Sequence, residues 1–238
     1  MRTFWMLVFS AVLAAPALAN EAVIRKVLEP KLGGAKIEGV ERGPAGLWEV
    51  RFRSEEGVRI LYTDAAASYI IIGKIYDAKA DKDLTEERLR KLNAINFGAL
   101  PLDQAVKVQR GNGKRVLVMF SDPYCPYCKQ FEQTLQQIDN VTVYVFMFPI
   151  IRPNLADHSR AVWCSPDRSK AWLDLALNGK PPAAKASCEN PVEKNLELGH
   201  KLGVNSTPTL YLANGERVAG AMQAADLRAM LDQVTSSK

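Results

Sequence analysis

Residues 120–129 read Phe120-Ser121-Asp122-Pro123-Tyr124-Cys125-Pro126-Tyr127-Cys128-Lys129. An apolar, β-like run over residues 116–120 leads into this stretch, and residues 130–135, Gln-Phe-Glu-Gln-Thr-Leu, continue from it with a helical pattern. A C-x-x-C pair at a strand-to-helix junction reads as a redox pair. The first cysteine then sits at a helix N-terminus, where unpaired backbone N–H groups and the helix dipole favour the thiolate, the nucleophilic form. The second follows one helical turn later, within reach of a mixed disulfide formed on the first. Cys125 is accordingly the expected attacking thiol and Cys128 the resolving one. Half of a zinc site would need a second closely spaced pair. The remaining cysteines, Cys164 and Cys188, stand singly, and the chain has only two histidines, His158 and His200. No metal or cofactor is called for.

The chain has 238 residues, of which 47% are hydrophobic and 24% charged. That suits one or two globular domains. The net charge of +5 comes without a long Lys/Arg cluster, so the surface is mildly basic and carries no nucleic-acid footprint. Arg2, an apolar segment over residues 4–15 and Ala17-Leu18-Ala19 have the layout of a cleavable signal peptide covering residues 1–19. The apolar run is short for a membrane span. An exported product fits an even number of cysteines in an oxidising compartment.

Residues 21–29 read as a short amphipathic helix stopped by Pro30 and Gly33-Gly34. Period-two patterning follows. Trp48, Val50 and Phe52 alternate with Glu49, Arg51 and Arg53, residues 58–62 form a next strand, and residues 68–75 a third, around Tyr69-Ile70-Ile71-Ile72. The spacing predicts an antiparallel meander. A domain over residues 20–76 is small for a self-sufficient core, so it calls for a partner such as a second copy. Residues 77–98 form a candidate linker. Asp83 and Glu86 offer a capping box to one connecting helix of about 12–14 residues.

The second domain covers residues 99–238. Strands are expected over 116–120, 141–148, 209–212 and 217–219, the last two joined by an Asn214-Gly215 hairpin. Helices are expected after the cysteine pair and over 158–163, 169–177, 191–202 and 224–234. Strand–helix–strand, a helical insert, then a hairpin and a helix is a thioredoxin-like order with an insertion. Cys164 and Cys188 flank part of that insert. Their spacing favours a structural bridge, on the order of 3 kcal/mol in the chain-entropy model, although pairings with Cys125 or Cys128 stay open. Pro208 alone reads as a strand-start proline. In a thioredoxin-like order it stands where a cis-proline loop meets the C-x-x-C, leaving a backbone edge to which a substrate peptide can pair.

The 120–128 stretch, Ala161-Val162-Trp163-Cys164 and Leu202-Gly203-Val204-Asn205-Ser206-Thr207-Pro208 together resemble the bacterial periplasmic disulfide isomerases, the DsbC/DsbG family. The resemblance covers essentially all of the chain after the leader and is clearest over residues 99–220. It implies an α+β protein: a thioredoxin-like catalytic domain with a helical insertion, a small β-rich, cystatin-like N-terminal dimerisation domain, and a linker helix. It implies a V-shaped homodimer in the periplasm whose uncharged cleft holds misfolded, wrongly disulfide-bonded proteins, a cis Thr207–Pro208 bond, and reduction by a membrane thiol reductant of the DsbD type. The active-site dipeptide is Pro126-Tyr127 where Gly-Tyr is common in the isomerases, and this pair tunes redox poise. Met119 stands where thioredoxins carry a buried acid. The expected function is thiol:disulfide isomerase and reductase through Cys125 and Cys128, with Thr207 and Pro208 holding the peptide. A DsbG-like reductase protecting single cysteines, or a chaperone holdase with minor redox activity, are the alternatives.

Overall fold

A computed structural model describes residues 15–54, 57–219 and 222–236. Most of the predicted leader, residues 1–14, lies outside the described residues. The chain divides into two compact units between Leu92 and Asn93. Among the described residues, no helix is long and apolar enough to cross a membrane.

The first unit begins with helix α1, Ala15–Leu28. It reaches back past the predicted 21–29 helix to the first of the described residues. Four strands follow: β1 Ile37–Arg42, β2 Trp48–Ser54, β3 Gly57–Thr63 and β4 Ile70–Ile71. They pair antiparallel in chain order, so the meander is present, with β1 as a strand beyond those predicted. Ile24 and Leu28 of α1 are fully buried against Ile37, Val40, Trp48, Val50 and Leu61. The predicted 68–75 strand shrinks to two residues. Asp64 Oδ1 accepts the backbone N–H groups of Ser68 (2.7 Å) and Tyr69 (3.0 Å), which holds the chain in a turn up to the start of β4.

The second face of β2 is only partly open to water: Arg53 is exposed on it, but Glu49 is not. Glu49 is buried and accepts Arg88 Nε at 3.0 Å, and Tyr62 and Thr85 hydroxyls meet at 2.7 Å. Arg88 and Thr85 belong to α2, Leu84–Leu92, which follows a small hairpin of β5, Tyr76–Asp77, and β6, Lys82–Asp83. Asp83 caps the helix by accepting Glu86 N–H at 2.8 Å, as half of the predicted capping box. The helix has nine residues, shorter than predicted. Past its end, Ile95 N–H donates to the Gly215 carbonyl at 2.9 Å, a bond outside any helical ladder.

The second unit is built on a five-stranded sheet in the order β11-β10-β8-β9-β7. Its strands are β7 Val106–Arg110, β8 Arg115–Ser121, β9 Val141–Met147, β10 Thr209–Leu212 and β11 Arg217–Ala219. Central β8 runs parallel to β9 and antiparallel to β10. Both faces of β8 are covered, which explains its unbroken apolar run. Leu117 and Met119 join one core with Phe131, Leu135, Trp172, Leu227 and Leu231, whereas Val118 and Phe120 join the other with Phe146, Phe148 and Tyr211. Helix α3, Pro126–Leu135, connects β8 to β9. The insertion before β10 holds α4 Ala156–Trp163, α5 Arg168–Asn178 and α6 Val192–Lys201, and α7 Ala224–Ser236 ends the unit. Gly215, at φ +84°, makes the β10–β11 hairpin turn, and any side chain there would strike the Ile95 backbone.

Candidate active site

Cys125 is the N-cap residue of α3, with Pro126 opening the first turn. It closes a tight turn from the end of β8, its N–H donating to the Asp122 carbonyl at 3.1 Å. The sulfur is nearly covered, at 4% residue exposure, and its S–H donates to the Thr207 carbonyl at 3.3 Å. The Thr207–Pro208 peptide is cis. Two backbone features therefore converge on this sulfur: the open N-terminus of a helix and the carbonyl that precedes β10. Tyr127 stands outward, 66% exposed.

Cys128 is fully buried on the inner side of α3, and both cysteines are free thiols. Burial pushes the Cys128 thiol up to about 12 from its ordinary 9.0. The Ser121 hydroxyl, the Asp122 backbone N–H and the Thr207 hydroxyl pull against that rise, and the nearby Cys125 adds slightly to it. The Ser121 and Thr207 hydroxyl oxygens are buried, with no hydrogen-bond partner among the described residues. At neutral pH the inner thiol stays protonated.

Four further side chains, Asp122, Tyr124, Arg152 and His158, organise the surroundings, and none was assigned from sequence. Asp122, fully buried, accepts Tyr124 N–H on Oδ1 and Ile151 N–H on Oδ2, each at 2.7 Å. The Tyr124 hydroxyl and His158 Nδ1, from α4, form a hydrogen bond. The Arg152 guanidinium lies 5.6 Å from the Tyr124 ring centroid. Burial raises the Tyr124 phenol, and Arg152 opposes that. Met119 is fully buried in the core. Glu132, on the buried face of α3, accepts Trp172 Nε1–H at 2.7 Å and lies 3.9 Å from Arg110 Nη2. Burial raises its pKa against the pull of Trp172 and Arg110.

Cys164 and Cys188 form a disulfide with Cα atoms 5.7 Å apart. It ties the C-cap of α4 to the loop before α6.

Two family models match the chain. A thioredoxin-like domain matches residues 102–235, and the N-terminal domain of disulfide bond isomerase proteins matches residues 15–86. The probable thiol:disulfide interchange protein DsbC of Bordetella parapertussis is 39% identical over 208 residues, covering 87% of this chain and 73% of the relative. The DsbC of Escherichia coli is 28% identical over 246 residues, covering 99% and 98%. The crystal structure of a disulfide interchange protein from Neisseria gonorrhoeae shares 40% identity and superposes with a TM-score of 0.55, over 57% of this chain and 99% of that one. This chain belongs to the DsbC family of thiol:disulfide interchange proteins and is a thiol–disulfide oxidoreductase.

Proposed function

We propose that this chain rearranges incorrect disulfides in exported proteins, acting as a periplasmic homodimer through the Cys125–Cys128 pair. The observation that carries the reading is the unequal placement of the two thiols. Cys125 caps α3 against the Thr207 carbonyl, and Cys128 is buried with its thiol held neutral. The Cys125 thiolate attacks one sulfur of a substrate disulfide. An S–S bond forms between Cys125 and the substrate as the old one breaks, and the other substrate sulfur leaves as a thiolate. From this mixed disulfide two routes lead on. A second substrate thiolate displaces Cys125, which completes an isomerisation and restores the enzyme. Alternatively Cys128 loses its proton and displaces the substrate, which leaves the substrate reduced and Cys125–Cys128 oxidised.

The second route needs the Cys128 thiolate, which burial disfavours strongly. The Cys125 charge is the least of the causes, so most of that penalty persists while Cys125 is tied to substrate. The substrate is thereby given time to rearrange. Thr207 and Pro208 supply the peptide-binding edge, and Pro126 and Tyr127 tune the poise of the pair. Each turn of the reductive route consumes two electrons, which a membrane thiol reductant of the DsbD type would return.

Reactivation of a scrambled multi-disulfide protein tests the reading. Wild type, added reduced, is expected to restore native pairing, and Cys125→Ala to restore none. Net reduction without repairing would point to the DsbG-like reductase, and suppression of aggregation with disulfides untouched to the holdase.

A further inference from the structure

The sheet order sets β8 between β10 and β9. Cys125, just beyond the end of β8, is therefore flanked by two chain segments: the one entering β10 and the one leaving β9. The first presents the Thr207 carbonyl. The second, residues 148–152, is fastened to the turn that precedes the nucleophile. Phe148 N–H donates to the Ser121 carbonyl at 2.9 Å, Ile150 N–H to the Phe148 carbonyl at 3.0 Å, and Ile151 N–H to Asp122 Oδ2 at 2.7 Å.

Asp122 is the joint between the two. One oxygen holds Tyr124, the residue before the nucleophile, and the other holds Ile151. A fully buried carboxylate is retained only where hydrogen bonds compensate it. Two N–H donors from separate segments need two acceptor oxygens, which asparagine cannot supply without turning its own NH2 on one of them. From the loop so fixed, Ile151 projects at 49% exposure, while Ile150 packs inward on the core. Arg152 is turned toward the Tyr124 ring, and the Tyr124 hydroxyl is engaged by His158. The apolar side chain offered on this flank is Ile151, next to the exposed Arg152.

We propose that the 149–152 loop is a specificity wall of the thiol site, taking a large apolar side chain adjacent to the substrate's cysteine through Ile151, and that Asp122 is its positioning residue. The inference rests on the thiol-exchange reading above. It divides recognition between the two flanks. The cis-proline side reads backbone, which every peptide offers, and the Asp122-anchored side reads side-chain character. Misfolded chains that expose apolar residues beside a wrongly paired cysteine are the substrates this favours.

The test uses two synthetic peptides, each with one cysteine in mixed disulfide with glutathione and differing only in a leucine or a serine next to it. Dithiothreitol returns the two electrons consumed per turnover, and its uncatalysed rate is subtracted. For wild type, KM for the leucine peptide is expected about five- to tenfold below that for the serine peptide, in the range of one partly enclosed apolar contact. Ile151→Ser should abolish the preference through KM, and Ile151→Leu should retain it. Asp122→Asn should weaken the preference with Ile151 still present; if that variant does not fold, the Ile151 pair decides alone. Equal KM values for wild type, or a preference intact in Ile151→Ser, would overturn the inference while leaving thiol exchange standing. Turnover of neither peptide by wild type would overturn the thiol-exchange reading itself.

Discussion

Cys125 and Cys128 differ by three positions in sequence and by a large step in environment. The outer sulfur lies on a helix N-terminus, whereas the inner one is fully buried in the interior. That difference has a consequence for stability. The folded state holds the Cys128 proton up to about 12, above the ordinary 9.0, so it binds more protons than the unfolded chain between those values. The associated stability is present below about pH 9 and is lost as pH rises toward 12. Urea midpoints of the reduced protein should therefore fall faster between pH 9 and 11 in wild type than in Cys128→Ala, by up to about 1.4 kcal/mol per pH unit. The phenols of Tyr62 and Tyr211, also raised by burial, act equally in both proteins and cancel. Parallel curves would show that Cys128 is not held neutral. At this scale the residues that chemistry constrains to a motif were legible in the sequence as candidates: the cysteine pair, its dipeptide and Thr207-Pro208, which the fold brings together. The sequence did not disclose Asp122, Ser121 or His158, because each acts through a tertiary neighbour. The Asp122–Ile151 contact, for example, spans 29 residues.

Elements with a long periodic pattern were legible, and those defined by pairing were less so. β10 and β11 match their predicted bounds, because Asn214-Gly215 fixes the turn and the register follows. β7 was not anticipated: Val106 and Val108 face inward, but five residues with charged neighbours give too weak an alternation. The shortened third strand of the first unit reflects Asp64, whose carboxylate holds a turn that an apolar run alone does not reveal. Within the insertion, the Cys164–Cys188 bridge closes a separation of 24 residues. Replacing both with alanine is expected to cost on the order of 2–4 kcal/mol of unfolding free energy, read from denaturant midpoints. An unchanged midpoint would mean that the helical insert is held by packing alone. The bridge joins the C-cap of α4, the helix that carries His158, so the double variant should also perturb the Tyr124–His158 contact.

At the scale of the whole molecule, the first unit leaves an apolar run uncovered. β4 is an edge strand, and beside it Tyr69 and Ile72 are 75% and 85% exposed. An exposed edge with apolar neighbours is a surface that another chain completes. A second copy is the occupant we propose, as the small size of this domain suggested from sequence. Light scattering of the protein from residue 20 onward at micromolar concentration should give twice the chain mass, and Ile72→Lys should shift it toward the monomer. A monomeric wild type would remove the homodimer from the account. What holds apart from oligomeric state is the assignment of roles to the two thiols. The most direct test incubates Cys125→Ala and Cys128→Ala separately with a scrambled substrate and resolves covalent complexes by non-reducing electrophoresis and mass spectrometry. Cys128→Ala is expected to accumulate a mixed disulfide through Cys125, and Cys125→Ala to form none. A complex through Cys128 in the Cys125→Ala variant, or none in Cys128→Ala, would contradict the assignment.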